Sequence, residues 1–376
     1  MRILHVIPSV HRGGAQVMLL RLLENARDNH HGVISLMPLG GLRAPMAAAG
    51  ATLHSLGLPQ GRMSARSGIG LARAIRSFQP DLVQGWMYHG NLAATIGCAL
   101  GRRAGPVLWG VHHSITTLAH EKPSTRRIIR LSAWLSRGTA KVVYVSRASA
   151  SQHEQLGFEA RRTIVIPNGF DCTVFRPQPA ARMALRRALG LDERPVLIGM
   201  VARYHPLKDH TNLFAAAARL ASGSAIHLVL VGAGVDAGNR DLQEAIRAAG
   251  LAERVTLLGE RRDIPDLMAG LDILALTSRD EAFPMVLGEA MASGVPCVAT
   301  DVGDSRLIVG DTGVLVPPND PDALAAGLKE LIQQDMAGRA RLGEAARRRI
   351  EEAFSAPAIA GRYLDLYKRV VEGAPC

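Results

Sequence analysis

Four short stretches of this chain combine residue types and spacings that could do chemistry. The richest is Ser278-Arg-Asp-Glu281-Ala-Phe283-Pro284-Met285-Val286-Leu-Gly-Glu289-Ala-Met-Ala-Ser-Gly294-Val-Pro296. Pro284 suits the first turn of a helix and Gly294 its C-terminal stop. Glu281 then lies in a loop, where a carboxylate can accept hydrogen bonds from sugar hydroxyls. Glu289 lies over a turn inside the helix, where it can grip a ribose diol. The free N–H groups at the helix start can hold phosphates between them. The plainer reading is a loop acid and a solvated helix acid. In Val201-Ala-Arg203-Tyr-His-Pro-Leu-Lys208-Asp, two cations five residues apart follow an apolar run and precede a helical one. Such a pair suits a diphosphate, with a guanidinium fork and an ammonium point charge; the alternative is a surface pair. Ser9-Val-His-Arg-Gly13-Gly14-Ala15 places glycines before a helix, which permits close backbone approach to an anion or simply makes a tight turn. His112 follows the run Val107–Val111; a single histidine there is equally at home as a packed side chain.

These stretches recur at one kind of place, just after a short β-branched run. In the first half the runs are 3–7, 33–37, 81–86, 107–111, 141–145 and 163–166. In the second they are 196–201, 227–231, 254–258, 272–276, 296–299 and 313–316. They are apolar on both faces, as buried parallel strands are. Amphipathic stretches such as 209–222 and 321–334 read as crossover helices, so the pattern is α/β with parallel sheets. The Pro-punctuated stretch 175–180 reads as a linker. The expected organisation is a Rossmann-like domain over 1–175, a second over 176–354, and a terminal helix over 355–376 packing back toward the first. Two such domains facing each other across a cleft would take a ligand at the carboxyl ends of their strands.

Composition narrows the partners. The chain has 376 residues, 48% apolar and 20% charged, enough for large cores. No apolar run approaches the ~18–20 residues of a membrane-spanning helix. The first residues lack the pattern of a signal peptide. Cys98, Cys172, Cys297 and Cys376 are scattered, which argues against a disulfide framework or zinc site. Net charge is +11, with +14 on residues 1–176 and −3 on 177–376. A basic half calls for an anionic partner or is merely a solvated Arg-rich face. Nucleic acid fits poorly, because only 4% of residues are aromatic and none is interleaved with the basic clusters. No GxGxxG follows the first run, which argues against a dinucleotide-dependent dehydrogenase.

Taken together, the Glu281–Glu289 pair, Asp272-Ile-Leu, Thr300-Asp-Val-Gly303, Thr312-Gly-Val-Leu-Val-Pro-Pro318 and Val165-Ile-Pro-Asn168-Gly-Phe-Asp171 resemble the retaining nucleotide-sugar glycosyltransferases of family 4, with the two-domain GT-B fold. Gly13-Gly14, Arg203 with Lys208, and Val231-Gly-Ala-Gly234 fall in matching places. The resemblance covers nearly the whole chain. It implies that Arg203 and Lys208 bind a diphosphate, that Glu281 faces the donor sugar and Glu289 the ribose, and that His112 lies near the donor sugar. Gly13-Gly14 would close over the phosphates. Gly234 and the opening turn Phe283-Pro284-Met285-Val286 complete the expected donor site. Many relatives have Gly where Pro284 stands, and Val302-Gly-Asp-Ser-Arg306 lacks the acid that relatives often carry before the following strand.

The implied reaction is sugar transfer with retention, from a nucleotide-diphosphate donor to a glycan or lipid-linked glycan in lipopolysaccharide, capsule or exopolysaccharide assembly. A UDP-sugar is the expected donor, although the residues leave GDP and ADP open. No metal or other cofactor is expected: the sole DxD, Asp320-Pro-Asp322, stands where a helix N-cap belongs. The rivals are a nucleotide-sugar epimerase of the same fold and a non-catalytic sugar- or nucleotide-binding protein. The expected location is the cytoplasm. Basic clusters at Arg102-Arg103, Lys122 with Arg126, Arg127 and Arg130, and Arg161-Arg162 leave two readings of 124–136 open. Its Ile128, Ile129, Leu131, Trp134 and Leu135 either face an anionic membrane or pack into the first domain.

Overall fold

The computed structural model describes residues 1–59, 65–101, 105–113, 115, 118 and 122–374, with the side chains of Ala65 and Arg66 excepted. Arg102, Arg103, Ser114 and Cys376 lie outside them. The chain divides into two units, Met1–Gly169 with Ala356–Cys376, and Phe170–Ser355.

In the first unit strands and helices alternate. They are β1 (Arg2–Ile7), α1 (Gly14–Asn25), β2 (His30–Ser35), α2 (Arg43–Ala48), β3 (Thr52–Ser55), α3 (Ala65–Phe78), β4 (Leu82–Trp86), α4 (Met87–Leu100), β5 (Val107–Val111), α5 (Pro123–Leu135), β6 (Lys141–Tyr144), α6 (Arg147–Gln155) and β7 (Thr163–Val165). The strands form one parallel sheet, ordered β3-β2-β1-β4-β5-β6-β7. Strand β3 is absent from the runs expected above. Its sequence Thr-Leu-His-Ser is short, half polar and only partly buried, as befits an edge strand. Strand β2 begins three residues earlier than its apolar run, because His31 is buried and pairs with His5 on β1.

The second unit holds α7 (Pro179–Ala188), β8 (Val196–Val201), α8 (His210–Leu220), β9 (Ile226–Val231), α9 (Arg240–Ala248), β10 (Val255–Leu257), α10 (Ile264–Ala269), β11 (Ile273–Leu276), α11 (Met285–Ala292), β12 (Cys297–Thr300), α12 (Ser305–Val309), β13 (Val314–Val316), α13 (Pro321–Gln333) and α14 (Met336–Ala353). Its parallel sheet runs β10-β9-β8-β11-β12-β13. Phe170, ahead of the Pro-punctuated stretch, and Phe175, its first residue, are buried in this unit's core, so the unit begins at Phe170. Asp320 caps α13, accepting from the N–H groups of Asp322 (3.1 Å) and Ala323 (2.9 Å), the structural role its position suggested. The last helix, α15 (Ala356–Glu372), belongs to the first unit. Its Ile359, Tyr363, Leu366 and Tyr367 pack with α1 in that unit's core.

In both sheets the first strand lies beside the fourth, β1 next to β4 and β8 next to β11. Crossover direction reverses there, so the loops leaving the two neighbouring strands diverge and open a crevice at their carboxyl ends. In the first unit α1, α2 and α15 share one hydrophobic cluster, while α3, α4 and α5 contribute to two others. Helices α3, α4 and α5 form a continuous layer, α3 against α4 and α4 against α5.

Candidate active site

In the second unit the charged residues gather at the β8/β11 reversal. Arg203 and Lys208 follow β8; Ser278 and Glu281 follow β11. Lys208 donates to Glu281 Oε1, and Ser278 Oγ donates to the same oxygen at 2.8 Å. The pair is largely withdrawn from water, with side-chain exposures of 24% and 15%. Arg203 is exposed and has no hydrogen-bond or ion-pair partner among the described residues. The crevice thus offers one free guanidinium, one ammonium and one carboxylate, each on a loop fixed by a strand.

What holds Lys208 is a brace that the sequence alone does not disclose. Asp209 adopts left-handed backbone angles (φ 52°), which Asp tolerates better than most residues. That twist ends the short turn Pro206–Lys208 and starts α8. The Asp209 carboxylate is buried and takes two bonds from Arg279, at 2.8 and 3.0 Å, and one from Thr211 at 2.9 Å. Burial alone would raise its pKa, but Arg279 and Thr211 outweigh that and hold it below the usual carboxylate range. Thr277 Oγ1 donates to the carbonyls of Lys208 (2.8 Å) and Asp209 (3.1 Å), and the Arg279 N–H donates to the Leu207 carbonyl at 2.8 Å. The two loops are therefore sewn together directly behind the Lys208–Glu281 contact.

The neighbouring strand ends tighten this frame. Thr300 Oγ1 donates to the Ser278 carbonyl at 2.7 Å, and the Asp304 N–H to the Ala282 carbonyl at 3.0 Å. Gly303 has φ 55°, and a Cβ there would lie 2.1 Å from the Glu281 carbonyl oxygen. Only glycine lets the β12 loop come so close behind Glu281. After β9, Gly232 stands the same way: a Cβ would sit 2.1 Å from the Ala202 carbonyl oxygen. Gly234 (φ 74°) continues that loop, which is tied to the β8 loop by the Tyr204 N–H on the Ala233 carbonyl at 2.8 Å.

Helix α11 starts one residue later than its sequence suggests, with Pro284 as N-cap rather than in the first turn. No side chain caps it and no acid occupies its first turn, so neither offsets its N-terminal partial charge. Met285 and Val286 form that turn, half-buried, and Glu289 sits half-buried one turn further along. Phe283 points the other way. Its ring is buried and stacks on Phe170 at 6.0 Å, so only its backbone faces the crevice loop.

In the first unit, Gly13 is the N-cap of α1 and Gly14 its first residue. Gly13 has extended angles that any residue adopts, and a Cβ at Gly14 would meet nothing within 4 Å. A Cβ at Gly13 would instead come within 2.6 Å of Gln16 Oε1, and the α1 N-terminus has neither a side-chain cap nor an acid in its first turn. His112 follows β5 and stacks on Trp86, ring centres 5.2 Å apart. Both ring nitrogens are buried without a partner among the described residues. Burial pushes the imidazole down to about 4, although the adjacent Asn168 carboxamide favours the protonated form. His112 is therefore neutral at pH 7 and keeps unspent hydrogen-bonding capacity. Behind it Trp86 donates to His5 Nδ1 at 3.2 Å, His5 and His31 bond at 3.1 Å, and His31 reaches the Ala26 carbonyl at 3.1 Å.

Comparison with known proteins decides the family. Residues 12–174 match the model described as Glycosyltransferase Family 4, and residues 182–349 match that of Glycosyl transferases group 1. The chain is a family 4 glycosyltransferase. It is 29% identical to the putative glycosyltransferase EpsF of Bacillus subtilis over 80% of this chain and 79% of that protein. It is 36% identical to the D-inositol 3-phosphate glycosyltransferase of Mycolicibacterium gilvum, over 49% of this chain and 43% of that longer protein. Among solved structures, Anabaena HepE in complex with UDP superposes with a TM-score of 0.80 at 26% identity, covering 98% of this chain and 100% of that one. The two parallel-sheet units are those of the GT-B fold.

In this glycosyltransferase the structure brings Lys208, Ser278 and Glu281 into contact, with Arg203, Gly234 and the start of α11 on neighbouring loops. Gly13, Gly14 and His112 belong to the other unit. Sequence reading missed Asp209, Thr277, Arg279 and the reason for Gly303. The signal available was the pairing of Thr and Arg after β11 with Asp after Lys208, which becomes legible only once β8 and β11 are known to be neighbours.

Proposed function

We propose that the enzyme transfers a glycosyl group, with retention, from a UDP-sugar to a glycan or lipid-linked glycan acceptor of surface-polysaccharide assembly. The observation that carries the donor half is the Lys208–Glu281 pair held at the β8/β11 reversal beside the free Arg203 and the uncapped α11. Cleavage of the bond between the sugar C1 and the diphosphate oxygen builds negative charge on the leaving group. Arg203, Lys208 and the α11 N–H groups stabilise that charge without reorganising. Glu281 accepts from sugar hydroxyls, and its own charge is balanced by Lys208. Glu289 takes the ribose diol. On this reading the acceptor oxygen bonds to C1 on the departing face, and its proton passes to the leaving phosphate oxygen, so no separate base is required. Support for the nucleotide comes from HepE, solved with UDP and with UDP-glucose. The acceptor rests on the resemblance read from the sequence; the match to D-inositol 3-phosphate glycosyltransferases favours a small phosphorylated acceptor as the second reading.

The test is thermal unfolding with UDP, GDP, ADP and their sugars, followed by nucleotide release with each acceptor class. A ligand at about 100 times its Kd adds about 2.7 kcal/mol of stability. UDP-sugars should shift the transition where GDP- and ADP-sugars do not, and turnover should survive EDTA because the counter-charge comes from Arg203 and Lys208. Release only when acceptor is present separates transfer from epimerisation. No shift with any nucleotide would refute the donor assignment.

A further inference from the structure

The α3–α5 layer carries a surface that the donor chemistry does not use. Among the described residues of the first unit, the exposed large apolar side chains are Ile69, Ile96, Leu100, Leu131, Trp134 and Val371. The first five stand on this one layer: Ile69 on α3, Ile96 and Leu100 on α4, and Leu131 and Trp134 on α5. Trp134 is 66% exposed, whereas Trp86 and Trp109 are fully buried.

Helix α5 shows how the surface arises. Ile129, Ser132 and Ala133 turn inward, and Ile128 and Leu135 pack beside them. At 100° per residue, Arg127, Arg130, Leu131 and Trp134 share the opposite face, and all four are exposed. Of the apolar residues of 124–136, Ile128, Ile129 and Leu135 thus pack into the first unit, while Leu131 and Trp134 stay exposed. On α3, Ile69 lies with the exposed Arg73 and Arg76. The three helices contain six arginines and neither Asp nor Glu. An acid-free helical layer with aliphatic side chains, one exposed indole and flanking guanidiniums is complementary to the headgroup zone of an anionic bilayer. There the indole and aliphatic groups enter the acyl boundary while the arginines meet phosphates.

We propose that the exposed face of α3, α4 and α5 docks this enzyme reversibly on an anionic phospholipid surface, with Trp134 inserted and Arg127 and Arg130 on the headgroups. The proposal stands on the first unit alone and does not depend on the identity of the donor.

The experiment uses the full chain and vesicles of phosphatidylethanolamine with phosphatidylglycerol, against phosphatidylcholine alone. Co-sedimentation at about 50 mM salt should show binding to the phosphatidylglycerol vesicles, weakened more than about tenfold at about 500 mM. Tryptophan emission should shift to the blue on binding, and because the other two indoles are already buried the shift reports Trp134. Trp134→Ser should abolish the shift, and Arg127→Glu with Arg130→Glu should lower partitioning by more than about tenfold. Equal thermal unfolding of the variants and wild type shows that they are folded, as expected for exposed positions. Wild-type protein that ignores phosphatidylglycerol vesicles at low salt would overturn the proposal. So would binding that both variants leave unchanged. Self-association in ultracentrifugation that Trp134→Ser abolishes, without vesicle binding, would make the face an interface between copies instead.

Discussion

Removing Arg279 should harm the enzyme more than removing the charge of its partner. Arg279→Met strands the Asp209 carboxylate, whose side chain is 1% exposed, while the guanidinium it loses is 47% exposed. An uncompensated buried charge costs about 3–5 kcal/mol. Thr211 still donates to this one at 2.9 Å, and water already screens the outer half of the pair. We therefore expect a loss of about 2–3 kcal/mol for Arg279→Met. Asp209→Asn keeps the shape and the tolerance for φ 52°, and its freed arginine can turn to solvent. Its cost should be about 1–2 kcal/mol, that of weakened charge-assisted hydrogen bonds. Both variants should also lose turnover, because the brace sets the Lys208 carbonyl and with it the ammonium proposed above to meet the diphosphate. A displacement near 1 Å is enough for about a hundredfold. Urea unfolding gives the stabilities, and nucleotide release with saturating donor gives kcat. Thr277→Val, which removes the hydroxyl on the Lys208 and Asp209 carbonyls, should lower kcat with a smaller stability loss. The reasoning fails if Arg279→Met unfolds like wild type, or if both Asp209→Asn and Thr277→Val keep full kcat.

Arg203→Ala and Lys208→Ala should each cut kcat by about 10²–10³, the loss seen when one preorganised donor to a developing anion is removed; wild-type turnover in a folded Arg203→Ala variant would refute its role. Glu289→Ala should raise the Kd for the nucleotide and leave turnover at saturating donor nearly unchanged, read by calorimetry beside kinetics. Acid should destabilise the first unit: burial drives His112 and His153 down to about 4 and lowers His5 and His31, so the unfolded chain binds protons that the fold refuses. Stability is then full above the ordinary histidine pKa of about 6.5 and falls toward pH 4 by up to about 1.4 kcal/mol per pH unit for each such histidine. Emission of the buried Trp86 and Trp109, both in this unit, should report it; a flat denaturation midpoint from pH 7 to 4 would contradict the assigned neutral tautomers.

Much of the architecture was legible because each buried strand must be apolar on both faces and each crossover helix on one. That made β9 and β11 readable from their residues alone, and it let Asp320 be read as a cap. Where the rule has exceptions, so did the reading. Edge strand β3 needs to be apolar on neither face, and β2 buries His31, a polar residue whose partner His5 is distant in sequence. Phe283 illustrates the limit at the site. Its position in the motif says nothing of its direction, which is set by Phe170 beneath it.

The chain's own order of residues settled which side chains are available at strand ends: Arg203, Lys208, Glu281, Glu289, His112 and the glycine pair. A strand followed by a helix puts its next few residues at the carboxyl edge whatever the rest of the molecule does. Sequence could not settle which strand ends are neighbours. That depends on sheet order, and only the reversal placing β8 beside β11 joins Lys208 to Glu281 and Asp209 to Arg279 across some 70 positions. Nor could it apportion 124–136, because a helix with apolar residues on much of its circumference buries whichever face meets the sheet. Tertiary packing chose Ile129 and Ala133 for the core and left Leu131 and Trp134 outside. Contacts between residues far apart in the chain are properties of the assembled sheet, and the energy that selects them exists only once its layers have packed.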